Sequence, residues 1–263
     1  MEHIALETVV LSISEGIARI SINRPEKRNA LSLQVVRELQ VALLLAEKDA
    51  SVRVAILSGT GTRVFAAGAD LDELPEAFTT PQTAMAYDQL INQLYRALQT
   101  SRLPIIASMA GHAIGGGCLL ALACDLRIAA SHIKIGFPVA RIGLMLSPKE
   151  HQLILDQITP SQARLLMFTG RRIDAKEAQT WGLIDIAVAD TELEAATAQV
   201  AAEIVIGAPL AIRVTKSLVL ALSSHEEVER SISEAYETIY TSADLKEGLK
   251  AIEEKRIPKF FGV

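Results

Sequence analysis

Apolar residues fill two short runs near the start of the chain, Val9 to Ile13 and Ile17 to Ile22, separated by Ser14-Glu15-Gly16. The runs read as strands, and the polar, glycine-containing break reads as the turn of a hairpin. Pro25 ends that pattern. From Ser32, which suits a helix N-cap, Val35, Leu39, Ala42, Leu43 and Ala46 recur on one helical face, and Val52 to Leu57 follows as a strand closed by Ser58-Gly59. Strand, helix and strand in that order are the local signature of a parallel sheet. A second round comprises a helix around Thr83 to Gln99, the strand Pro104 to Met109, a glycine-rich turn, a short helix from Gly116 to Ala123 and the strand Asp125 to Ala129. Beyond Ala189 strand signals fade, and Val228, Ile232, Ala235 and Ile239 have the 4, 3, 4 spacing of a helix that buries one stripe. The C-terminal third is therefore predicted to be helical, packed over the core or against another subunit. No internal repeat of fixed period is present.

Half of the 263 residues are hydrophobic and 22% are charged. That is enough apolar material for an ordinary core, which excludes a disordered chain or a small disulfide scaffold. The 26 basic and 31 acidic residues leave a net charge of −5 with no long run of one sign, so charge gives no support to nucleic-acid binding. The longest apolar stretches are interrupted by Gly or polar residues, and the start, Met1-Glu2-His3, has neither a basic n-region nor an apolar h-region. A cytoplasmic protein without a signal peptide or membrane span is expected. Cys118 and Cys124 fit no zinc spacing and are expected as reduced core residues. His3, His132, His151 and His225 are scattered, and no metal is expected.

Two turns are candidates for chemistry: Phe65-Ala66-Ala67-Gly68-Ala69-Asp70-Leu71 and Gly111-His112-Ala113-Ile114-Gly115-Gly116-Gly117-Cys118. Each follows a strand end, where α/β sheets bind ligands. Gly and Ala let a ligand approach the main chain, and one N–H from each turn would make an oxyanion hole. The same glycines would also serve tight strand-to-helix packing. The sequence has no G-x-S-x-G elbow, no H-E-x-x-H, no P-loop and no G-x-G-x-x-G after the first strand.

Both turns belong to a longer set of motifs: Asn23-Arg24-Pro25 with Asn29-Ala30-Leu31, Ala67-Gly68-Ala69-Asp70, Gly115-Gly116-Gly117 with Ala123-Cys124-Asp125-Leu126-Arg127, Thr169-Gly170, Ala178 with Gly182-Leu183, and the closing Glu254-Lys255-Arg256 and Pro258. Together they resemble the crotonase superfamily, the enoyl-CoA hydratase/isomerase fold, nearly end to end. The resemblance implies an α/β spiral of β-β-α units over residues 1–195 and a helical C-terminal region, 196–263, used for trimerisation, with trimers commonly paired into hexamers. It implies an acyl-CoA substrate, bent so that two backbone N–H groups hold the thioester carbonyl. By position these donors are Ala69 and Gly116, with Ala66, Ala67, Gly68, Asp70, Leu71 and Gly115 around the carrier. No cofactor is implied beyond CoA as the carrier of the substrate. Because CoA is anionic, an acidic protein needs local cations. Lys27 and Arg28 are the candidates by family position, and Lys255 or Lys259 could reach the 3′-phosphate from a neighbouring subunit.

The hydratases of that family use two glutamates, one two residues after the third glycine and one directly after a later proline. The matching positions here are Leu119 and Val139, neither of which can transfer a proton. The resemblance therefore implies a site that polarises a thioester and stabilises an enolate, with the proton-moving group open. If the segment after Pro138 is extended, Arg141 faces the same way as Val139 and could hold a substrate carboxylate, which suits a thioester that loses CO2. A structural ion pair or a contact with CoA phosphate is its other role. Tyr87 and Asp88 fall on a helix that lines the acyl pocket in the family. Ser147 is a pocket hydroxyl or the N-cap ahead of Pro148, and His112 is expected as a packed side chain turned away from the thioester. Three readings follow: decarboxylation or another enolate reaction, favoured on these grounds; a hydratase with substitute groups; and a non-catalytic CoA-thioester-binding subunit.

Overall fold

In the computed structural model, which describes residues 2–224 and 228–263, the hairpin gains a third, edge strand. β1 (Glu2–Ala5), β2 (Val9–Ser14) and β3 (Ile17–Ile22) are antiparallel neighbours. Glu15 and Gly16, at φ 53° and 77°, form the tight turn that suits the twist of β2 and β3. α1 (Leu33–Lys48) then crosses to β4 (Val54–Gly59). Ser32 Oγ caps it by accepting from Val35 N–H at 3.3 Å, and the stripe predicted for this helix is buried. β5 (Val64–Ala66), α2 (Leu74–Ala77) and α3 (Pro81–Thr100) lead to β6 (Ile105–Met109), β7 (His112–Ile114), α4 (Gly116–Leu122) and β8 (Leu126–Ala130). β9 (Lys134–Gly136), α5 (Pro148–Leu155), α6 (Pro160–Thr169), β10 (Arg172–Asp174), α7 (Ala175–Trp181) and β11 (Ile186–Val188) follow. The chain ends in α8 (Leu193–Val205), α9 (Pro209–Ser224), α10 (Val228–Tyr240) and α11 (Ala243–Glu253).

The strands form two sheets. The larger has the order β1-β2-β3-β4-β6-β8-β11 and is parallel from β3 onward. The smaller has the order β10-β9-β7-β5, with β5, β7 and β9 parallel. Its strands are three residues each, and β7 lies within what reads from sequence as a glycine-rich turn.

A division at 195/196 falls inside α8. That helix buries Leu193, Thr197 and Ala201, and Thr197 Oγ1 lies 3.1 Å from Ser108 Oγ on β6, so α8 is part of the layer covering the large sheet. In α10, Ala235 is buried and Ile239 half-buried, but Ile232 is exposed, so the buried stripe is narrower than its spacing predicts. The Val228 side chain and His225 lie outside the described residues. Cys118 and Cys124 are buried and unpaired, and burial pushes both thiols up to about 12, where they are inert at neutral pH. Among the described residues no single helix is long and apolar enough to cross a membrane.

Candidate active site

β5 and β7 are hydrogen-bonded parallel neighbours, so their C-terminal ends lie side by side and each runs directly into a glycine-containing turn. The turn after β5 is held from the loop before α1. Leu31 N–H donates to Gly68 O at 2.8 Å and Ala67 N–H to Arg28 O at 3.2 Å. Arg24 Nη1 donates to Asp70 Oδ2 at 2.9 Å and to Ala30 O at 3.1 Å. The turn after β7 is held by contact. A Cβ on Gly117 would stand 2.0 Å from Ala66 O, so only glycine lets α4 start against the end of β5. Tyr95 Oη, from α3, donates to Gly116 O at 3.2 Å.

The result is a pair of main-chain donors with nothing to donate to. Neither Ala69 N–H nor Gly116 N–H meets an acceptor among the described residues. They border one small space: a Cβ on Gly116 would lie 3.5 Å from Ala69 N, and one on Gly68 would lie 3.2 Å from Gly116 N. Both open on a cavity of about 140 Å³. Its wall is largely apolar, with Leu31, Phe78, Ile91, Leu144 and Leu146 among its residues, and it also carries Tyr87, Asp88 and Glu150. Both residues are half-buried, and two convergent main-chain N–H groups without a protein acceptor are suited to an oxygen that carries negative charge.

The polar groups of the cavity are desolvated. Tyr87 is buried and its Oη has no partner among the described residues. Burial, and then the charges of Glu73, Asp70, Asp88 and Glu150, push its pKa further up, so the phenol stays neutral and is free to donate. Burial also raises Asp88. Glu150 is raised by burial first and by the Asp88 charge, against opposing hydrogen bonds from Ser147. Among the described residues no cluster of His, Cys, Asp and Glu forms a metal-ligand set.

Comparison with known proteins assigns the architecture. The enoyl-CoA hydratase/isomerase family matches residues 12–262. The chain belongs to that family. It is 32% identical over 254 residues to the short-chain-enoyl-CoA hydratase of Clostridium acetobutylicum, covering 95% of this chain and 96% of that protein. It is 32% identical over 263 residues to the 2,3-dehydroadipyl-CoA hydratase of Escherichia coli, covering 98% and 100%. The crystal structure of an enoyl-CoA hydratase/carnithine racemase from Magnetospirillum magneticum superposes with a TM-score of 0.94 at 33% identity, covering 98% of this chain and 97% of that one. The spiral of β-β-α units and the helical C-terminal region are those of the enoyl-CoA hydratase/isomerase family.

Within this family framework the expected site residues separate. Ala67, Gly68, Ala69, Leu71, Gly115 and Gly116 line the cavity together with Tyr87, Asp88 and Val139. Ala66 and Leu119 are buried behind it, and Asp70 is spent on Arg24, where it holds the first turn. Arg141 is not brought in. Residues Pro138–Ile142 form a 3-10 turn rather than an extended strand, so Arg141 does not share the direction of Val139. Its guanidinium is exposed and donates to Thr169 O at the end of α6, at 3.2 Å. Lys27 is paired with Asp72 at 2.8 Å, Arg28 borders a different cavity together with His112, and Lys255 and Lys259 are exposed beyond α11. Ser147 is the N-cap of α5 and does not line the cavity.

Glu150 is the charged cavity residue that sequence reading misses. It is the third residue of α5, and Ser147-Pro148-Lys149-Glu150 reads as an ordinary capping box. Its local signal is accounted for by the helix start, and only the tertiary structure brings it to the wall of the cavity.

Proposed function

We propose that the Ala69 and Gly116 N–H groups hold the carbonyl oxygen of an acyl-CoA thioester and that the chain catalyses reversible hydration of a short, apolar 2-enoyl-CoA. One observation carries the reading: two unpartnered main-chain donors open on an apolar cavity whose only charged side chains, among the described residues, are carboxyls. A decarboxylase acting on a dicarboxyl thioester needs a cation for the second carboxylate. Among the described residues no Lys, Arg or His lines this cavity, and an ionised Asp88 would repel an anionic acyl group. The reading therefore moves from decarboxylation to hydration, with Asp88 supplying proton transfer that Leu119 and Val139 cannot. Hydratases among the relatives agree with that choice.

Size sets the acyl group. A dry cavity of about 150 Å³ elsewhere accepts benzene, so a cavity of about 140 Å³ suits an acyl chain of roughly four to six carbons. CoA itself would lie outside the cavity, with Lys27 or Arg28 from this chain and Lys255 or Lys259 from a neighbouring copy available to its phosphates. The apolar side chains Leu222, Tyr240, Leu249, Ile252 and Phe261 are exposed on the C-terminal region, as a face covered in a homotrimer or hexamer would be.

Incubation with crotonyl-CoA and, separately, methylmalonyl-CoA, both followed by mass, tests the reading. Gain of water on crotonyl-CoA with methylmalonyl-CoA unchanged is expected, as is a steep fall in kcat/KM for long-chain enoyl-CoA. Loss of CO2 without hydration would restore the decarboxylase reading, and binding without any conversion would leave a non-catalytic subunit.

A further inference from the structure

Two carboxyls reach the cavity from different helices, Asp88 from α3 and Glu150 from α5, and nothing about the general site accounts for the second. Glu150 is 8% exposed, and Oε2 accepts from Ser147 N–H at 2.7 Å. Ser147 Oγ in turn accepts from Glu150 N–H at 3.3 Å and from Asn92 Nδ2 at 3.1 Å, so the residue that holds the carboxyl is itself tied to α3. Surface capping boxes have no use for such a brace, and their glutamates do not line an apolar cavity.

We propose that Glu150 is a catalytic residue of this chain, the acid that delivers a proton to the α-carbon of the thioester, with Asp88 as the base that takes one from water. This assignment rests on the hydration reading above. In the forward direction the oxygen of water bonds to C3 while its proton passes to Asp88, and the C2=C3 π electrons move onto the thioester oxygen as an enolate held by Ala69 and Gly116. The enolate then collapses as C2 takes the proton of Glu150. Asp88 leaves the cycle protonated and Glu150 ionised, and exchange with solvent resets both. Asn92 and Ser147 are positioning residues.

The environment supports that division. The groups acting on Glu150 are Asp88, Tyr87 and Tyr95 on α3 and His151 on α5. Burial favours the neutral form of both carboxyls, and Glu150 is the more buried of the two.

Exchange of the α-hydrogens of butyryl-CoA with deuterium oxide needs the α-carbon group and the oxyanion hole but no attack by water. Glu150→Gln keeps the capping box, since Gln at the third position also serves it. It is expected to unfold at the wild-type temperature and to lose both crotonyl-CoA hydration and α-exchange by about 10²- to 10⁴-fold. Asp88→Asn is expected to lose hydration and keep exchange. In the unaltered enzyme, exchange requires ionised Glu150 and is expected to rise with pH through a midpoint above the ordinary carboxylate value. A Glu150→Gln protein that still exchanges α-hydrogen, or a wild-type exchange rate already at its plateau at the ordinary carboxylate value, would overturn the assignment alone. Wild-type protein that binds both thioesters and performs neither reaction would overturn the hydration reading along with it.

Discussion

Gly116→Pro is expected to lower turnover of a short enoyl-CoA by about 10²- to 10³-fold while the protein remains folded. Gly116 is the first helical residue of α4, and its N–H has no intrahelical partner. Proline is well accepted at that helical position, and its ring puts Cδ where the amide hydrogen was, so the substitution removes the donor and fills its place while leaving the helix start intact. Ala69→Pro removes the other donor and is expected to fall into the same range. Gly116→Ala is the control. Its added Cβ would meet Ala69 N, Gly68 Cα and Tyr95 Oη at 3.5 Å, ordinary contacts, and the N–H stays. If the alanine variant is as impaired as the proline variant, crowding rather than loss of a donor is responsible. Proline variants at both positions with near wild-type turnover would remove the oxyanion hole from the mechanism. Circular dichroism and acyl-CoA binding, read alongside, separate lost catalysis from lost structure.

These donors were legible because the signal is local: a strand end, then Ala and Gly, twice. Their convergence was not. It depends on β5 and β7 pairing as parallel neighbours in a sheet whose strands are three residues each, too short to show a period and defined by partners far along the chain. The longer elements, such as α1 with its buried stripe and the β2–β3 hairpin, carry enough turns or alternations to be read alone. Arg141 shows how such reading misdirects. Placing it beside Val139 presupposes extended backbone, and Pro138 instead opens a 3-10 turn that sends the guanidinium to Thr169. Glu150 shows the converse, a residue whose pattern is satisfied by one role, the helix cap, and which tertiary packing gives a second environment.

Lys216→Met is expected to cost about 3 kcal/mol in denaturant unfolding at neutral pH, toward the lower end of the range for breaking a buried ion pair from one side. The ammonium, buried on α9, donates to Leu98 O and Leu103 O at 2.9 Å each and to Asp125 Oδ2 at 2.7 Å, joining the C-terminal region to the end of α3 and the start of β8. Asp125 Oδ2 also accepts from Ile105 N–H at 2.7 Å. Burial dominates Asp125 and raises its pKa despite these partners. A carboxyl raised on folding contributes stability that is complete below its unfolded value and is lost as pH climbs through the folded one. Without Lys216 the folded value rises further, so the deficit of the Met variant should be largest at neutral pH and shrink as acid neutralises Asp125. Adding Asp125→Asn should recover part of the loss at neutral pH, because the uncompensated charge is gone. A deficit independent of pH and unchanged in the double variant would mean that Lys216 acts through its two carbonyl contacts alone, and that its charge has no part in holding α9 on the core.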